Sequence, residues 1–208
     1  MMKSVFIVLG CLGISACATS KIDYTAPTIT KINNVSEVNE PFDDVWKRLV
    51  KNLSADFFVI NNIEKESNII NVSFSASPPS RYVDCGTSRR EFSNARGENV
   101  YIYNPSDSAK YTLTNNQGHL FNAVRSTNLT GSINIYVAEN DNSTSISVNA
   151  KYVIKGGVKF YNAYNNFAGE EQWSLNLSTN QPQLKNENGV TCVSTGVIES
   201  KILGYAEE

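Results

Sequence analysis

The sequence predicts an α+β domain of two layers, in which an antiparallel β-sheet carries an amino-terminal and a carboxyl-terminal helix on one face. Three observations support this fold class. A helical apolar pattern begins at Pro41, segments of alternating apolar and polar residues follow between Phe57 and Leu177, and a second helical pattern begins near Gly196. A sheet with one apolar face needs a covering layer, which the two helices would supply.

The first helix is predicted from one apolar stripe. Its members recur at helical spacing: Phe42, Val45, Trp46, Leu49, Val50 and Leu53. Pro41 suits the start of a helix, where its missing N–H group has no partner to lose, and Asp43 and Asp44 lie near the positive end of the helix dipole. Burial of the stripe would contribute at most on the order of 10 kcal/mol, so this helix must pack against another layer.

The strands are predicted from the alternation of apolar and polar side chains. The segments concerned are Phe57–Ile63, Ile70–Phe74, Leu129–Val137, Ile146–Ile154 and Trp173–Leu177. The first two and the next two are expected to form hairpins, because turn-forming residues separate them. Gly156 and Gly157 are interpreted as a turn at a strand end, since no phosphate-binding loop pattern surrounds them. The last helix would bury Ile198, Ile202 and Tyr205.

Two stretches lack the regular spacing of apolar residues that marks a helix or a strand. Residues 17–40 are rich in Thr, Asn, Ser and Lys, and are predicted to form a flexible tether ahead of a single domain at 41–208. Within that domain, residues 77–118 are interrupted by prolines and glycines and are predicted to form a long loop, in which only Val100–Tyr103 has the character of a short strand.

The first residues have the build of a secretory signal. Lys3 supplies a positive charge, Val5–Ile14 is a short apolar run, and small residues lead to Cys17. The apolar run is too short for a stable helix across a hydrocarbon layer of about 30 Å. Residues 1–16 are therefore predicted to be removed after export.

The exit sequence Ile14-Ser15-Ala16-Cys17 resembles the lipobox of bacterial lipoproteins. The resemblance implies cleavage before Cys17, a diacylglycerol on its thiol and an acyl chain on its amine, which together make a stable membrane anchor. Cys11 also ends a matching pattern, but cleavage there would leave about five apolar residues. Ala18, instead of Asp, implies the outer membrane facing the periplasm, with the inner membrane and the cell surface as alternatives.

The stretch Pro41–Phe74 resembles the helix-grip domains of envelope lipoproteins, among them the C component of the outer-membrane barrel-assembly machinery. Its helix carries the apolar stripe, and its hairpin places Ile60 and Ile63 before Ile70-Asn71-Val72. The resemblance covers about a sixth of the chain and depends on apolar spacing. It implies a helix-grip-like architecture, whereas the two remaining cysteines and the long middle loop depart from that pattern.

Two cysteines remain after removal of the signal and lipidation of Cys17. An even pair in an oxidising compartment most often forms a disulfide, so Cys85 and Cys192 are predicted to be bonded. Such a bond would stabilise the fold by up to about 4–5 kcal/mol in the chain-entropy model. Free thiols are the alternative, and the poor set of other ligands argues against a metal site.

Composition and motifs argue against catalysis and nucleic-acid binding. The net charge is −2 and the basic residues are scattered; Arg89-Arg90, followed by Glu91, is interpreted as a solvated loop. His119 is the only histidine, and no serine lies in a nucleophile-elbow pattern, so no hydrolase triad is expected. The sequence predicts no enzyme, no cofactor and no metal site.

One aromatic-rich stretch remains as a candidate binding surface. Tyr161, Tyr164 and Phe167 lie among asparagines between two predicted strands, where they would stack on a sugar or grip a peptide at a sheet rim, or pack in the core or within a hairpin. The favoured interpretation of the whole chain is a non-catalytic envelope lipoprotein that binds another protein. The alternative is a lipoprotein that binds glycan or peptidoglycan through these rings.

Overall fold

The computed structural model describes residues 18–186 and 189–207 of the chain. The predicted signal and Cys17 lie outside the described residues. Within these ranges no helix is long and apolar enough to cross a membrane. The elements in chain order are β1 (Thr19–Thr25), β2 (Val35–Val38), α1 (Phe42–Ala55), β3 (Val59–Glu64), β4 (Ile69–Ala76), a short 3₁₀ turn (Pro79–Arg81), β5 (Val83–Asp84), β6 (Thr87–Asn94), β7 (Gly97–Tyr103), β8 (Ala109–Thr114), β9 (Leu120–Glu139), β10 (Thr144–Asn162), β11 (Phe167–Ser178), β12 (Gln183–Lys185), β13 (Thr191–Ser194) and α2 (Val197–Glu207).

Strands β9 and β10 form the centre of the principal sheet, with 20 and 19 residues respectively. They pair antiparallel along their whole length, and all their neighbours are antiparallel too. In the upper half of the sheet, β4 and then β3 continue beside β9, and β2 pairs with the start of β10. In the lower half, which holds the start of β9 and the end of β10, β8 pairs with β9 while β11 runs beside β10.

One hydrophobic core contains side chains of both helices and of the upper half of the sheet. The fully buried members include Val45, Leu49 and Leu53 of α1, Ile198 and Ile202 of α2, and Ile70, Leu129, Ile135, Ile146, Val148 and Ile154 of the strands. The predicted combination of an antiparallel sheet with an amino-terminal and a carboxyl-terminal helix is confirmed. The two predicted hairpins are confirmed as β3–β4 and β9–β10.

Side chains of α1 donate hydrogen bonds to the last carbonyl groups of α2. The Arg48 Nε donates to the Ala206 carbonyl at 3.0 Å, and the Asn52 amide donates to the Tyr205 carbonyl at 3.3 Å. The last carbonyls of a helix have no partner within the helix, so these bonds satisfy groups that would otherwise need water. The same guanidinium pairs with Glu40 at 2.9 Å.

The predicted tether is wrong for two of its segments. β1 pairs with β6 over seven residues, and β2 pairs with β10 over four. β1 is further held by Tyr24, whose hydroxyl donates to the Thr191 carbonyl and accepts from the Thr191 N–H, both at 2.9 Å. The sequence gives little sign of β1 because its inward side chains are mixed, with polar Ser20 ahead of the more apolar Ile22 and Tyr24.

The predicted loop at 77–118 is also wrong, because it contains β5, β6 and β8; the short strand predicted at Val100–Tyr103 is confirmed as the second half of β7. β6 and β7 form a hairpin that β1 extends into a second, three-stranded sheet. Its inward face carries polar side chains such as Ser88 and Arg90, so the alternation of apolar and polar residues that marks a strand is missing from the sequence.

The predicted disulfide joins Cys85 to Cys192, with a Cα–Cα distance of 4.0 Å. Cys85 follows β5 and Cys192 lies in β13, and these two strands pair with each other. The bond closes a chain segment with a sequence separation of 107 residues. It therefore ties the second sheet to the strand that leads into α2.

Candidate functional site

A cleft of about 530 Å³ lies between the lower half of the principal sheet and the second sheet. Its volume falls in the range of about 300–1,000 Å³ that is typical of ligand pockets. The disulfide borders it, and Arg90, Arg125, Tyr103, Tyr111 and Trp173 contribute its aromatic and charged groups. We call it the arginine cleft.

The strand register explains why these side chains meet. Arg125 of β9 lies opposite Val158 of β10, and residues that lie opposite each other in antiparallel strands share a face. Tyr111 of β8 and Trp173 of β11 share that face by the same pairing rule. The second sheet places Arg90 and Tyr103 across the gap, so that the cleft has residues of both sheets on its two walls.

Arg90 is held by two tyrosines. Its Nε donates to the Tyr103 hydroxyl at 2.8 Å, and its guanidinium lies 4.5 Å from the centre of the Tyr111 ring. The two rings stack at 5.3 Å with an interplanar angle of 4°. Burial raises the pKa of Tyr111 to about 12, so its hydroxyl stays neutral under ordinary conditions. The stacked tyrosines therefore fix the orientation of the guanidinium and of its remaining N–H groups.

Arg125 is held on the opposite wall. Its guanidinium lies 4.6 Å from the Trp173 ring, its Nε donates to the Asp107 carbonyl at 3.2 Å, and another of its nitrogens donates to the Pro105 carbonyl. Burial lowers the pKa of this guanidinium from its ordinary value, and the positive charge of Arg90 acts in the same direction. Arginine nevertheless stays protonated at neutral pH, so the cleft contains two positive charges.

Neither arginine has a carboxylate within 4 Å in the described part of the chain, where the ion pairs at that distance all involve other residues. Glu171 of β11 also lines the cleft, on the same face of the sheet as Arg125, but it is exposed. Positive charge that is partly removed from water and faces aromatic surface favours an anionic group that can accept paired N–H bonds. A carboxylate on an apolar or aromatic body fits this description.

Two glycines make room for aromatic rings on the neighbouring strand. A Cβ at Gly156 would lie 2.2 Å from the Trp173 ring, and one at Gly131 would lie 2.0 Å from the Phe74 ring. Each glycine is directly opposite its aromatic partner in the strand register. The interpretation of Gly156 as a strand-end turn is therefore wrong, since it lies inside β10 and lets Trp173 lie flat against the strand that lines the cleft.

The aromatic residues singled out by the sequence lie elsewhere. Tyr161, Tyr164 and Phe167 flank the turn between β10 and β11, and the Tyr164 and Phe167 side chains are 86% and 61% exposed. The ring centres of Tyr161 and Phe167 are 6.2 Å apart in an edge-to-face arrangement. These three side chains, which we call the aromatic tip, thus belong to a surface turn and not to the core.

His119 lies in the exposed turn between β8 and β9, where its backbone N–H donates to the Asn115 side-chain oxygen at 2.9 Å. Among the described residues, no group of three His, Cys, Asp or Glu side chains is placed to hold a metal ion. Comparison with protein-family models and with curated proteins gives no match for this chain.

Sequence reasoning missed the arginine cleft. It assigned Arg90 to a solvated loop, which is wrong, because Arg90 lies half-buried in β6. The cleft forms because one face of β6 packs opposite one face of β9. Such packing between two sheets leaves no pattern in the local sequence. The one sequence signal near the cleft was the cysteine pair, since the bond from Cys85 to Cys192 holds the residues just before β6 next to β13, and both cysteines line the cleft.

Proposed function

We propose that this chain is a non-catalytic lipoprotein of the bacterial envelope, anchored at the outer membrane through Cys17, whose domain binds an acidic segment of another envelope protein in the arginine cleft. The domain would be of the helix-grip type, with both helices covering one face of the principal sheet. Their shared core with β4, β9 and β10 supports this arrangement.

The observation that carries the proposed function is the pair of arginines without carboxylate partners in the described part of the chain. Planar guanidinium groups held against aromatic rings present fixed pairs of N–H donors, which match a carboxylate in two-point bonds. An aspartate or glutamate side chain of an extended segment would meet Arg90 and Arg125, and its apolar neighbours would contact Trp173 and Val158.

The test is site-specific photocrosslinking in intact cells. A benzophenone side chain at Leu113, which lines the cleft, is expected to capture an acidic peptide of one envelope protein. The matched control position is Ile102 of β7, which is 67% exposed and points away from the cleft beside Tyr103. Arg90→Gln should reduce the crosslink from Leu113 at least about tenfold, the loss of one charged hydrogen-bond pair.

Equal products from Leu113 and Ile102, or a captured peptide without acidic residues, would contradict the proposed binding mode. Capture of peptidoglycan fragments in place of protein would favour the glycan alternative. The anchor is tested separately, by intact mass and flotation of the wild-type protein against Cys17→Ser. A wild-type protein that is unacylated and does not float would refute the lipoprotein proposal.

A further inference from the structure

Two turns meet at the lower end of the principal sheet. The β8–β9 turn covers residues 115–119, and the β10–β11 turn covers residues 162–166. Thr114 pairs with Leu120, and Phe121 pairs with Asn162, so both turns project from the same edge. Neighbouring strands are about 4.8 Å apart, which places the turns side by side.

The first described residues lie at this same end. The Ser20 hydroxyl lies 3.1 Å from the Thr114 hydroxyl and accepts the Thr114 N–H at 3.1 Å. Thr19 pairs with Ser93, next to the β6–β7 turn at residues 94–97. Consecutive Cα atoms are about 3.8 Å apart, so Cys17 lies within roughly 11 Å of Ser20 along the chain. A lipid on Cys17 would therefore hold this end of the molecule against the bilayer.

The aromatic tip is the ordered, apolar feature of this end. The Asn162 side chain accepts the N–H groups of Tyr164 and Asn166, both at 3.0 Å, which closes the turn. Tyr161 packs against Phe167, so the two most exposed rings are carried on a fixed turn. Exposed aromatic rings gain free energy when a binding partner removes them from water. A turn that is already ordered loses less conformational entropy on binding.

We infer that the aromatic tip inserts into the headgroup region of the membrane that holds the lipid of Cys17. This inference rests on the proposed lipid anchor. Tyrosine is suited to that region because its ring is apolar and its hydroxyl can remain hydrated. Charge contributes little, since Lys159 lies directly opposite Glu170 in the strands behind the turn. The bilayer contact is thus interfacial and depends weakly on salt.

The experiment uses the full-length, acylated protein in vesicles of phosphatidylethanolamine and phosphatidylglycerol that contain a spin-labelled quencher lipid. Tyr164→Trp places a fluorophore on the tip. Tyr136→Trp is the matched control, because Tyr136 is 48% exposed and lies 16 residues along β9 from Leu120. This separation corresponds to about 50 Å of strand. The added fluorescence of Tyr164→Trp should be quenched at least about twofold more than that of the control.

Equal quenching of the two variants in protein that floats with the vesicles would overturn the tip inference and leave the anchor intact. Loss of flotation in the wild type, together with an unacylated mass, would overturn both. Retention on isolated cell-wall glycan that Tyr164→Ala abolishes, without quenching in vesicles, would assign the tip to glycan instead. Because Tyr164 is exposed, unchanged circular dichroism is expected for each of its variants.

Discussion

Glu199 is the one carboxyl side chain among the described residues that has no solvent exposure. The Tyr152 hydroxyl donates to its Oε2 at 2.7 Å, and the Thr179 hydroxyl donates to its Oε1 at 2.8 Å. Burial raises the pKa of Tyr152 well above its ordinary value, and the proximity of Glu199 adds to the shift, so this tyrosine remains a donor. The bonds tie the first turn of α2 to β10 and to the end of β11.

Tyr152→Phe is expected to destabilise the protein by about 1–3 kcal/mol, because it leaves a buried carboxyl group with one donor fewer. Urea unfolding followed by circular dichroism measures the change. Tyr164→Phe removes a hydroxyl from a surface turn and should change the free energy of unfolding by less than about 0.5 kcal/mol. Equal effects of the two substitutions would show that the buried bond contributes no net stability.

Gly156→Ala is expected to displace the Trp173 ring, since the new methyl group would lie 2.2 Å from it. Overpacking of this kind destabilises by about 1–3 kcal/mol. The shift would also change the tryptophan emission and weaken the crosslink from the arginine cleft. Gly157→Ala is the matched control, because the nearest atom to its Cβ is at 3.3 Å. Identical emission spectra for the two variants would contradict the proposed packing.

At the scale of elements, the contact between α1 and α2 ends in a polar cluster. Asp56, just after α1, accepts a hydrogen bond from the Tyr205 hydroxyl and pairs with Lys201 at 2.7 Å. Burial alone would raise the pKa of Asp56, but the bonds from Lys201, Tyr205 and the Phe57 N–H outweigh it and lower the pKa. The cluster thus favours the ionised carboxylate in the folded state.

This shift predicts a loss of stability in acid. A carboxyl group whose pKa is lower in the folded state contributes stability above its unfolded value, near 3.8, and loses it as the pH falls through the folded value. Asp56→Asn should therefore reduce the difference in unfolding free energy between pH 7 and pH 3, by about 1 kcal/mol or less because the pair is partly exposed. Asp44→Asn, on the exposed side of α1, is the comparison. If Asp56→Asn leaves the pH dependence of the unfolding free energy unchanged, the cluster does not have this role.

The sequence predicted those elements that bury an apolar face. α1, β4, β9 and the upper part of β10 read clearly because their buried positions carry Val, Ile, Leu or Phe. β6 was missed because its inward positions face a polar cleft, β7 was predicted only in its second half, at Val100–Tyr103, and β1 was missed because it is short and mixed in character. The disulfide was predictable from the expected oxidising compartment and the even number of remaining cysteines. The partners of Arg90, by contrast, depend on the arrangement of two sheets.

At the scale of the whole molecule, β9 and β10 belong to two hydrophobic clusters. Their upper halves contribute to the core that contains the helices, and their lower halves contribute Ala123 and Val158 to a smaller cluster with Tyr111. Separate unfolding of either part would break a continuous ladder, and the disulfide further links the start of the second sheet to the strand that precedes α2. The two parts are therefore expected to unfold together.

The two tryptophans of the chain test this cooperativity, because Trp46 lies inside the helix core, whereas Trp173 lines the arginine cleft and packs only against the edge of that core. Trp46→Phe and Trp173→Phe leave one reporter each. With the disulfide intact, fluorescence and circular dichroism of each variant should give coincident midpoints in urea. A midpoint for the cleft reporter that precedes the circular dichroism transition would show that the lower half opens first.

The position of β1 determines how the domain responds to mechanical force. A pull on the chain ahead of Thr19, directed away from the lower end of the sheet, runs along the axis of β1. The ladder to β6 has seven residue pairs, and its hydrogen bonds are perpendicular to that axis. The bonds are therefore sheared together and share the load, whereas a sideways pull would peel them one at a time. Tension on this terminus meets the strand in its most resistant direction.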